Sequence, residues 1–367
     1  MHYFPIPHPL LHHYNKIMEL LSDCDGNLER AAAAIREGKL VAFPTETVYG
    51  LGADAFNLSA LAKIFEAKKR PHFDPLIIHI ADLNAINQAV DIMLLDKNAR
   101  EFFSVLAEKL WPGPLTLVLP KKKELPALAT AGLATAAVRF PSHPIAQKLI
   151  SFSGRLIAAP SANLFGCLSP TRAIHVKEQL GESVDFIIDG GRTHVGLEST
   201  VLDLQGDKPC ILRPGGTSRE AIEALIGPVE ISSPFLESRG DDDSLSQGGV
   251  APLSPGQLKS HYAPKTPLFL HKNGDLDSLP IVPGEGRLYF SAPPNAARGV
   301  LSEKAGFENS RILTTSGDLP EAAANLFDML HELDNMGLKL IRAEEAPGFG
   351  LGTAINDRLH RAATEAI

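Results

Sequence analysis

Side chains that could bind a polyanion beside a small polar molecule recur in this sequence, each time directly after an apolar run. Residues 43–52 carry two threonines, a tyrosine and two glycines, and residues 68–70 are three adjacent cations. Residues 159–163 and 198–200 add hydroxyl and amide groups, and two arginines lie in similar apolar runs: Arg139 and Arg213. A guanidinium can donate paired hydrogen bonds to phosphate or carboxylate oxygens. The grouping indicates a site of the kind that an ATP-using, adenylate-forming enzyme needs.

Most of these features, taken singly, also have a structural explanation. Cations are common at helix ends because they complement the helix dipole. Ser161 and Asn163 suit an ordinary turn, Thr47 follows a strand where threonine is common, and His79 could be a satisfied core histidine. Arg139 is harder to explain this way, because a long cation within a sheet is costly unless it is paired or binds a ligand.

Length and composition indicate a globular protein of two domains. The chain has 367 residues, of which 44% are hydrophobic and 21% are charged. No run approaches the roughly 18 apolar residues that span a bilayer, so we expect no membrane association. The first residues lack a secretory signal pattern, which predicts a cytoplasmic location.

Charge and cysteine usage exclude further classes. The net charge of −8 argues against a protein whose main task is binding nucleic acid, so no stable nucleic-acid complex is expected. The three cysteines are odd in number and widely spaced, which suggests neither a disulfide framework nor a zinc site.

Shifts in composition predict four segments. Residues 1–24 are rich in proline and histidine and are interpreted as a poorly ordered arm; a solvated tail is favoured over metal binding, since no carboxylate or cysteine shares the histidine spacing. Residues 25–227 form the predicted catalytic domain, and residues 228–266 a linker rich in glycine, proline and aspartate. Residues 267–367 form a smaller second domain.

Periodicity predicts a mixed α/β fold with a large twisted sheet in the first domain. The predicted helices are 28–37, 58–65, 101–111, 145–150 and 172–180, and Asn57 is expected to cap the second of them. The predicted strands are 39–43, 75–80, 115–119, 136–140, 156–159, 186–189, 200–204 and 210–213. The second domain has a βαβ rhythm. Its predicted strands are 268–270, 286–290, 311–313 and 338–341, with an amphipathic helix over 322–333 and a last helix after residues 348–352.

Eight ordered motifs resemble the YrdC family: residues 44–51, 68–71, 75–79, 111–116, 138–141, 159–163, 198–201 and 212–215. Residues 254–265 and 350–359 resemble the two-domain form of that family. The resemblance covers nearly everything from residue 27 onward. It implies a YrdC-like first domain with a concave basic cavity, and a second, Rossmann-like domain.

The resemblance also implies a reaction. L-threonine, bicarbonate and ATP would give threonylcarbamoyl-AMP and pyrophosphate, with Mg²⁺ carried by the phosphates rather than by a protein cage. A separate tRNA threonylcarbamoyl-transferase system would then pass the group to the adenosine beside a tRNA anticodon. Two alternatives remain: a carbamoyl-adenylate-forming enzyme that uses carbamoyl phosphate, and a double-stranded RNA-binding module.

Matching motif positions assign roles that the family implies. The quartet around ATP is Lys68, Arg70, Ser161 and Asn163. The L-threonine contacts are Thr47, His79, Arg139, Ser199 and the backbone at Ala159. Further nucleotide contacts are Thr135, Ser169, Arg213 and Tyr262, and Tyr262 on a mobile linker would close the cavity as a lid. Asp74 stands where the family often has an amide, so a nearby cation or metal must compensate its charge.

Overall fold

Two α/β domains make up the part of the chain that the computed structural model describes, which is residues 18–232, 262–292 and 307–364. None of the helices in these ranges is both long and apolar enough to cross a bilayer. The predicted motif at 254–261 lies outside the described residues.

The N-terminal domain is built on one large sheet. Its strands are β1 (Glu19–Ser22), β2 (Val41–Phe43), β3 (Gly50–Asp54), β4 (Ile77–His79), β5 (Leu115–Pro120), β6 (Thr135–Arg139), β7 (Ile157–Ala158), β8 (Phe186–Asp189), β9 (Thr200–Asp203), β10 (Cys210–Arg213) and β11 (Glu230–Ile231). The spatial order is β1-β8-β2-β3-β7-β4-β6-β5-β9-β10-β11, with parallel and antiparallel pairs mixed. The mixed sheet confirms the predicted fold class of this domain.

Helices cover both faces of this sheet. They are α1 (Asp25–Arg36), α2 (Leu58–Lys68), α3 (Lys97–Leu110), α4 (Pro144–Ser153), α5 (Ala173–Leu180) and α6 (Arg219–Ile226). Neighbouring residues of a strand point to opposite faces. In β2, Val41 accordingly packs with α1 and α4, whereas Ala42 packs in the larger core with α2 and α3. Asn57 caps α2 as predicted, because its side chain accepts a hydrogen bond from the backbone of Ala60.

The C-terminal domain has a smaller, all-parallel sheet. Its strands are β12 (Leu268–His271), β13 (Glu285–Ser291), β14 (Ser310–Thr314) and β15 (Leu340–Glu344), in the order β12-β15-β13-β14. Its described α-helices are α7 (Leu319–Asp334) and α8 (Gly352–Ala362). An all-parallel sheet in which α7 connects β14 to its neighbour in sequence, β15, agrees with the Rossmann-like arrangement that the sequence predicts.

The two domains share a hydrophobic core. Val48, Leu168 and Leu197 of the N-terminal domain are buried in the same cluster as Leu326 and Phe327 of α7. Polar contacts reinforce this interface. Arg172 donates two hydrogen bonds to Asp328, at 2.7 and 2.9 Å, and His331 contacts the backbone oxygen of Ser169 at 3.0 Å. The packing therefore fixes the C-terminal domain against the first.

The structure differs from the predicted organisation at two segment boundaries and at three strands that were not predicted: β1, β3 and β11. The arm assigned to residues 1–24 is too long, because Glu19–Ser22 pairs in parallel with β8. The linker assigned from residue 228 begins too early, because Glu230–Ile231 pairs with β10. Both are short strands at sheet edges, where a partner distant in sequence, not a local pattern, decides pairing. Strand β3 was not predicted, since glycine disfavours strands; a Cβ at Gly52 would lie 2.7 Å from the Phe43 ring.

Candidate active site

A cavity lies where strands β4, β6 and β10 meet the loops after β2, α2 and β7, the loop before β9 and the end of the linker. Its empty volume is about 500 Å³, which includes some open solvent. Nine predicted site residues line it: Thr47, Arg70, His79, Arg139, Ala159, Ser161, Ser199, Arg213 and Tyr262. Further lining residues are Thr45, Val48, Gly50, Ile77, Pro160 and Glu198. Segments up to 217 residues apart in sequence, from Thr45 to Tyr262, therefore converge on one concave site.

Sheet pairing brings the polar side chains together. Strands β4 and β6 are parallel neighbours, and His79 lies opposite Arg139 in their register. Strand β7 runs antiparallel beside β4, and the amide of Ala159 donates to the Ile77 carbonyl at 2.9 Å. An isolated β-bridge between Gly50 and Ser161 holds the loop after β7 beside the start of β3. The sheet thus sets the spacing of the lining residues.

Arg139 carries a buried guanidinium that has unused hydrogen-bonding capacity. One of its terminal nitrogens lies 2.8 Å from a carboxylate oxygen of Glu46, and both side chains are at most 5% exposed. The two atoms are close enough for an ion pair, but neither forms a hydrogen bond of acceptable geometry, and Nε of Arg139 is also without a hydrogen-bond partner. Burial acts to raise the pKa of Glu46, but the charge of Arg139 outweighs it and the net direction is down.

His79 is neutral in this site. Burial lowers the pKa of His79 to about 3, and the nearby charge of Arg139 adds to the effect. Its Nδ1 lies 3.1 Å from the carbonyl oxygen of Ile77, which can only accept, so Nδ1 carries the proton. The neutral ring therefore has its acceptor at Nε2. The ring of Phe43 contacts it edge to face, at a centroid distance of 6.3 Å.

Arg70 and Asp74 form a buried ion pair, at 2.9 Å, with side chains 3% and 1% exposed. This confirms that a cation compensates the charge of Asp74, as the sequence required. Burial lowers the pKa of Arg70 and raises that of Asp74, although each partner opposes the shift of the other. Arg70 also donates to the backbone oxygens of Asp74 and Pro75, at 3.3 and 3.0 Å, so these contacts hold it at the cavity wall.

Lys68 lies behind the cavity rather than in its lining. Its amine donates to the carbonyl oxygen of Ser161 at 2.6 Å and to that of Asn163, and the residue is 1% exposed. Burial, and then the charge of Arg70, place the pKa of Lys68 well below its usual value. The Asn163 amide nitrogen donates to the Leu164 and Cys167 carbonyls, both at 2.8 Å. These contacts fix the loop that presents Ser161.

The opposite wall is organised around Glu198 and Arg213. Arg213 donates to the backbone oxygen of Ser199 at 2.9 Å, and the hydroxyls of Ser199 and Thr116 lie 2.7 Å apart. The carboxylate of Glu198 accepts from the hydroxyl of Ser169. Burial acts to raise the pKa of Glu198, but two arginines, Arg358 and Arg213, outweigh it and lower the pKa.

Tyr262 forms part of the cavity wall at the end of the linker. It is 1% exposed and has a left-handed backbone, with φ of 66°. The amide of the next residue, Ala263, donates to the Gly166 carbonyl at 2.8 Å, which ties the linker to the N-terminal domain. The tyrosine ring packs against Phe327 of α7, at 5.7 Å between centroids. Both domains therefore contribute to the position of this ring.

Comparisons with known proteins agree with this architecture. A family model described as "Telomere recombination" matches residues 33–215, and one described as "Threonylcarbamoyl-AMP synthase, C-terminal domain" matches residues 217–364. The threonylcarbamoyl-AMP synthase of Bacillus subtilis is 42% identical over 351 residues, which cover 95% of this chain and 96% of that protein. The chain belongs to the threonylcarbamoyl-AMP synthase family.

An archaeal relative supports the family assignment in both sequence and structure. The threonylcarbamoyl-AMP synthase of Pyrococcus abyssi is 43% identical over 332 residues, covering 90% of this chain and 92% of that protein. The crystal structure of Pyrococcus abyssi Sua5 complexed with L-threonine superposes with a TM-score of 0.80 and 37% identity, over 95% of this chain and 97% of that one. The predicted two-domain form of the family is confirmed.

Most of the residues that family motifs assign to the site of this threonylcarbamoyl-AMP synthase family member line the cavity, but five of them lie outside its lining. These are Lys68, Asp74, Thr135, Asn163 and Ser169. Asp74, Asn163 and Ser169 each contact or hold a residue that shapes the wall. Thr135 begins β6, four residues before Arg139 on the same strand. Their roles toward the nucleotide stay predictions.

Three acidic or basic groups of the site were missed. Glu46 and Glu198 directly precede predicted threonine contacts, Thr47 and Ser199, and could have been found by asking which carboxylate pairs a buried arginine. Arg358 lies in the C-terminal motif 350–359, and that motif did not indicate its contact with Glu198 of the cavity wall. Among the described residues, no three metal-ligating side chains cluster so as to hold a metal ion.

Proposed function

We propose that this chain is an L-threonylcarbamoyladenylate synthase, which converts L-threonine, bicarbonate and ATP to threonylcarbamoyl-AMP and pyrophosphate. One observation carries the proposal: three buried guanidiniums, Arg70, Arg139 and Arg213, line one cavity. A carboxylate substrate and a triphosphate repel each other, and fixed cations around one space offset that repulsion. The family relationship and the likeness to a relative complexed with L-threonine support the same activity.

L-threonine is assigned to the end of the cavity at Arg139. The unused donors of Arg139 suit a carboxylate, and the neutral ring of His79 suits the substrate hydroxyl. Thr47, Ser199 and the backbone at Ala159 complete this subsite. Small residues near Ala159 leave room for the methyl group of threonine.

ATP is assigned to the end at Arg70 and Arg213, with Ser161 and Tyr262 beside it. In this proposal Lys68 and Asn163 act by holding the loop that presents Ser161. Thr135, Ser169 and Asp74 are proposed as further nucleotide contacts, with the charge of Asp74 compensated by Arg70. Mg²⁺ would be held by the phosphates and water, since no acidic cage is needed for it.

The reaction requires no protein nucleophile. The amine of threonine attacks the carbon of bicarbonate and water leaves, which gives a carbamate; an oxygen of that carbamate attacks the α-phosphorus of ATP, and pyrophosphate leaves. The protein orients the reactants and stabilises charge as it is transferred to the leaving group. A water-poor cavity also protects the carbamate and the mixed anhydride product from hydrolysis. The product would pass to a tRNA threonylcarbamoyl-transferase system in the cytoplasm.

An omission assay tests the proposal. Pyrophosphate release is measured with ATP, L-threonine and bicarbonate together, and then with each left out in turn. We expect release only when all three are present. Equal turnover with serine, or without an amino acid, would contradict the assignment of threonine. Turnover with carbamoyl phosphate in place of bicarbonate and threonine would favour the carbamoyl-adenylate alternative, and tight salt-sensitive binding of duplex RNA without turnover would favour an RNA-binding module.

A further inference from the structure

We propose that Arg358, in helix α8 of the C-terminal domain, is a positioning residue that holds Glu198 and Tyr262 in the cavity wall. The inference rests on the proposed function, and it gives the C-terminal domain a defined part in the reaction. Arg358 does not itself line the cavity. It acts through two residues that do.

The first contact is with Glu198. Nε of Arg358 donates to Oε2 of Glu198 at 2.8 Å, and the other carboxylate oxygen accepts from Ser169. The Arg358 side chain has no exposed surface, and that of Glu198 is 7% exposed. An unpaired carboxylate at this depth is costly, so Arg358, together with Arg213, allows Glu198 to remain charged beside Ser199.

The second contact is with the ring of Tyr262. The guanidinium carbon of Arg358 lies 4.9 Å from the ring centroid, which is the distance of a cation–π interaction. Such interactions are strongest where both partners are desolvated, as here. Phe327 of α7 packs on the same ring. The C-terminal domain therefore forms the outer support of the linker residue that closes the cavity.

A third contact fixes the guanidinium itself. A terminal nitrogen of Arg358 donates to the backbone oxygen of Pro214 at 2.9 Å, directly after Arg213. The other terminal nitrogen donates to Asp357, which also accepts from Arg361 at 2.8 Å. Burial by itself lowers the pKa of Arg358, but Tyr262, Glu198 and Asp357 outweigh it and raise the pKa above its ordinary value. Arg358 is thus a permanent cation that joins three separate segments of the wall.

The test uses Arg358→Lys in the full chain, because lysine keeps a charge beside Glu198 but loses the planar group over Tyr262 and the bond to Pro214. The matched control is Arg287→Lys. Arg287 is also a buried arginine of the C-terminal domain, 3% exposed, but its hydrogen bonds stay within that domain. We expect kcat/KM for ATP to fall roughly tenfold in Arg358→Lys and to stay within about twofold in the control.

A double-mutant cycle with Tyr262→Leu shows whether Arg358 acts through the tyrosine. We expect the double variant to be about as active as Tyr262→Leu alone, since a positioned ring that is absent cannot be displaced. Losses that multiply would overturn the proposal, as would an Arg358→Lys variant that behaves like Arg287→Lys. If Arg358→Lys does not fold, the double variant Glu198→Gln/Arg358→Met, which removes both charges, takes its place. Its kcat/KM for ATP is measured alone and together with Tyr262→Leu, and the same results support or overturn the proposal.

Amide hydrogen exchange separates this inference from the proposed function. The Ala263 amide, bonded to Gly166, should exchange faster in Arg358→Lys than in the wild-type protein or in Arg287→Lys. If the wild-type protein releases no pyrophosphate in the omission assay, the proposed function fails, and this exchange rate still decides the positioning role. An unchanged rate at Ala263 would refute that role even in an active enzyme.

Discussion

Two buried arginines in different domains show how differently the same side chain can be used. Arg287, in the C-terminal domain, donates to the carboxylate of Glu285 and to three backbone oxygens, those of Leu276, Leu279 and Pro280. Arg139, in the cavity, has donors without any hydrogen-bond partner and faces a carboxylate that is equally unsatisfied. The exposures are similar, 3% and 4%.

The difference separates structural from binding roles. A buried donor without a partner costs roughly 1–3 kcal/mol, so a protein retains it only where something offsets the cost. At Arg139 a substrate carboxylate would do so, whereas Arg287 is already satisfied by its own domain. Between these two arginines, the number of occupied donors, rather than burial or charge, distinguishes the proposed ligand-binding role from the structural one.

The largest effect is expected at Arg70, the cavity arginine assigned to the phosphates. Arg70→Ala should lower pyrophosphate release by at least about 1,000-fold, because a cation beside the transferred phosphoryl group is lost. The fold should survive, since Asp74 already has a raised pKa and can become neutral. Activity and circular dichroism are measured together. A folded variant of unchanged activity would remove Arg70 from the mechanism.

The next largest effect is expected when lysine replaces Arg139, and the same replacement at Arg287 is the comparison. Arg139→Lys should lower kcat/KM for L-threonine by about 100-fold, because lysine cannot form the paired bonds to a carboxylate. Arg287→Lys should lower the thermal midpoint instead, because several backbone oxygens lose their donor. Steady-state kinetics and thermal unfolding of both variants check this. If the two variants lose activity equally, the number of occupied donors does not distinguish their roles.

Local sequence was enough for much of the fold. Strands β8 and β10 have the bounds that their apolar runs predict, 186–189 and 210–213, and Asn57 caps its helix as expected. The pairing of strands was beyond the sequence, because β1 joins β8 across more than 160 residues and only tertiary packing decides such neighbours. The short edge strands β1 and β11 were missed because pairing with a neighbouring strand, not a local pattern, forms them, and β3 was missed because glycine disfavours strands.

The site was predicted unevenly. Motif matching placed His79, Arg139 and Ser199 in the cavity lining, but it did not show which donors are occupied. Lys68 illustrates the limit: the motif put it with the phosphates, whereas its amine is taken up by backbone oxygens of the loop at Ser161. Arg358 illustrates it further, since its contact with Glu198 joins residues 160 positions apart. Ion pairs of this kind depend on how two domains dock.

A smaller effect is expected from pH, through the neutral histidine beside Arg139. The pKa of His79 is about 3 in the folded protein, against an ordinary histidine pKa of 6.5, so the unfolded chain binds more protons between these limits. The contribution of His79 to the free energy of unfolding is therefore fully present above pH 6.5 and falls as the pH drops. Between pH 7 and pH 5, His79 should account for a loss of about 2 kcal/mol in the free energy of unfolding.

Urea unfolding at the two pH values, followed by the fluorescence of the single tryptophan Trp111, measures this loss. The variant His79→Gln should lose about 2 kcal/mol less than the wild-type protein over the same interval. His175 at the domain interface, whose pKa is also about 3 because of burial, remains in both proteins and cancels in the comparison. An equal loss in the two proteins would mean that His79 is not held neutral.

The smallest effect is expected at the exposed edge of the domain interface. Arg172 is 44% exposed, and its partner Asp328 also lies 3.3 Å from Arg192. Because a second cation remains, Arg172→Ala should lower the free energy of unfolding by only about 1 kcal/mol and leave kcat/KM within about twofold. Urea unfolding and steady-state kinetics measure the two quantities.

This last variant also sharpens the role proposed for the C-terminal domain. Arg172 and Arg358 both join the two domains, but Arg358 alone of the two contacts residues that line the cavity. If docking as a whole sets the cavity, weakening it at Arg172 should lower activity as Arg358→Lys does. If the buried contacts set it, activity should respond at Arg358 and not at Arg172. A tenfold loss of kcat/KM in Arg172→Ala would therefore favour docking as a whole over the positioning of Tyr262 and Glu198 by one side chain.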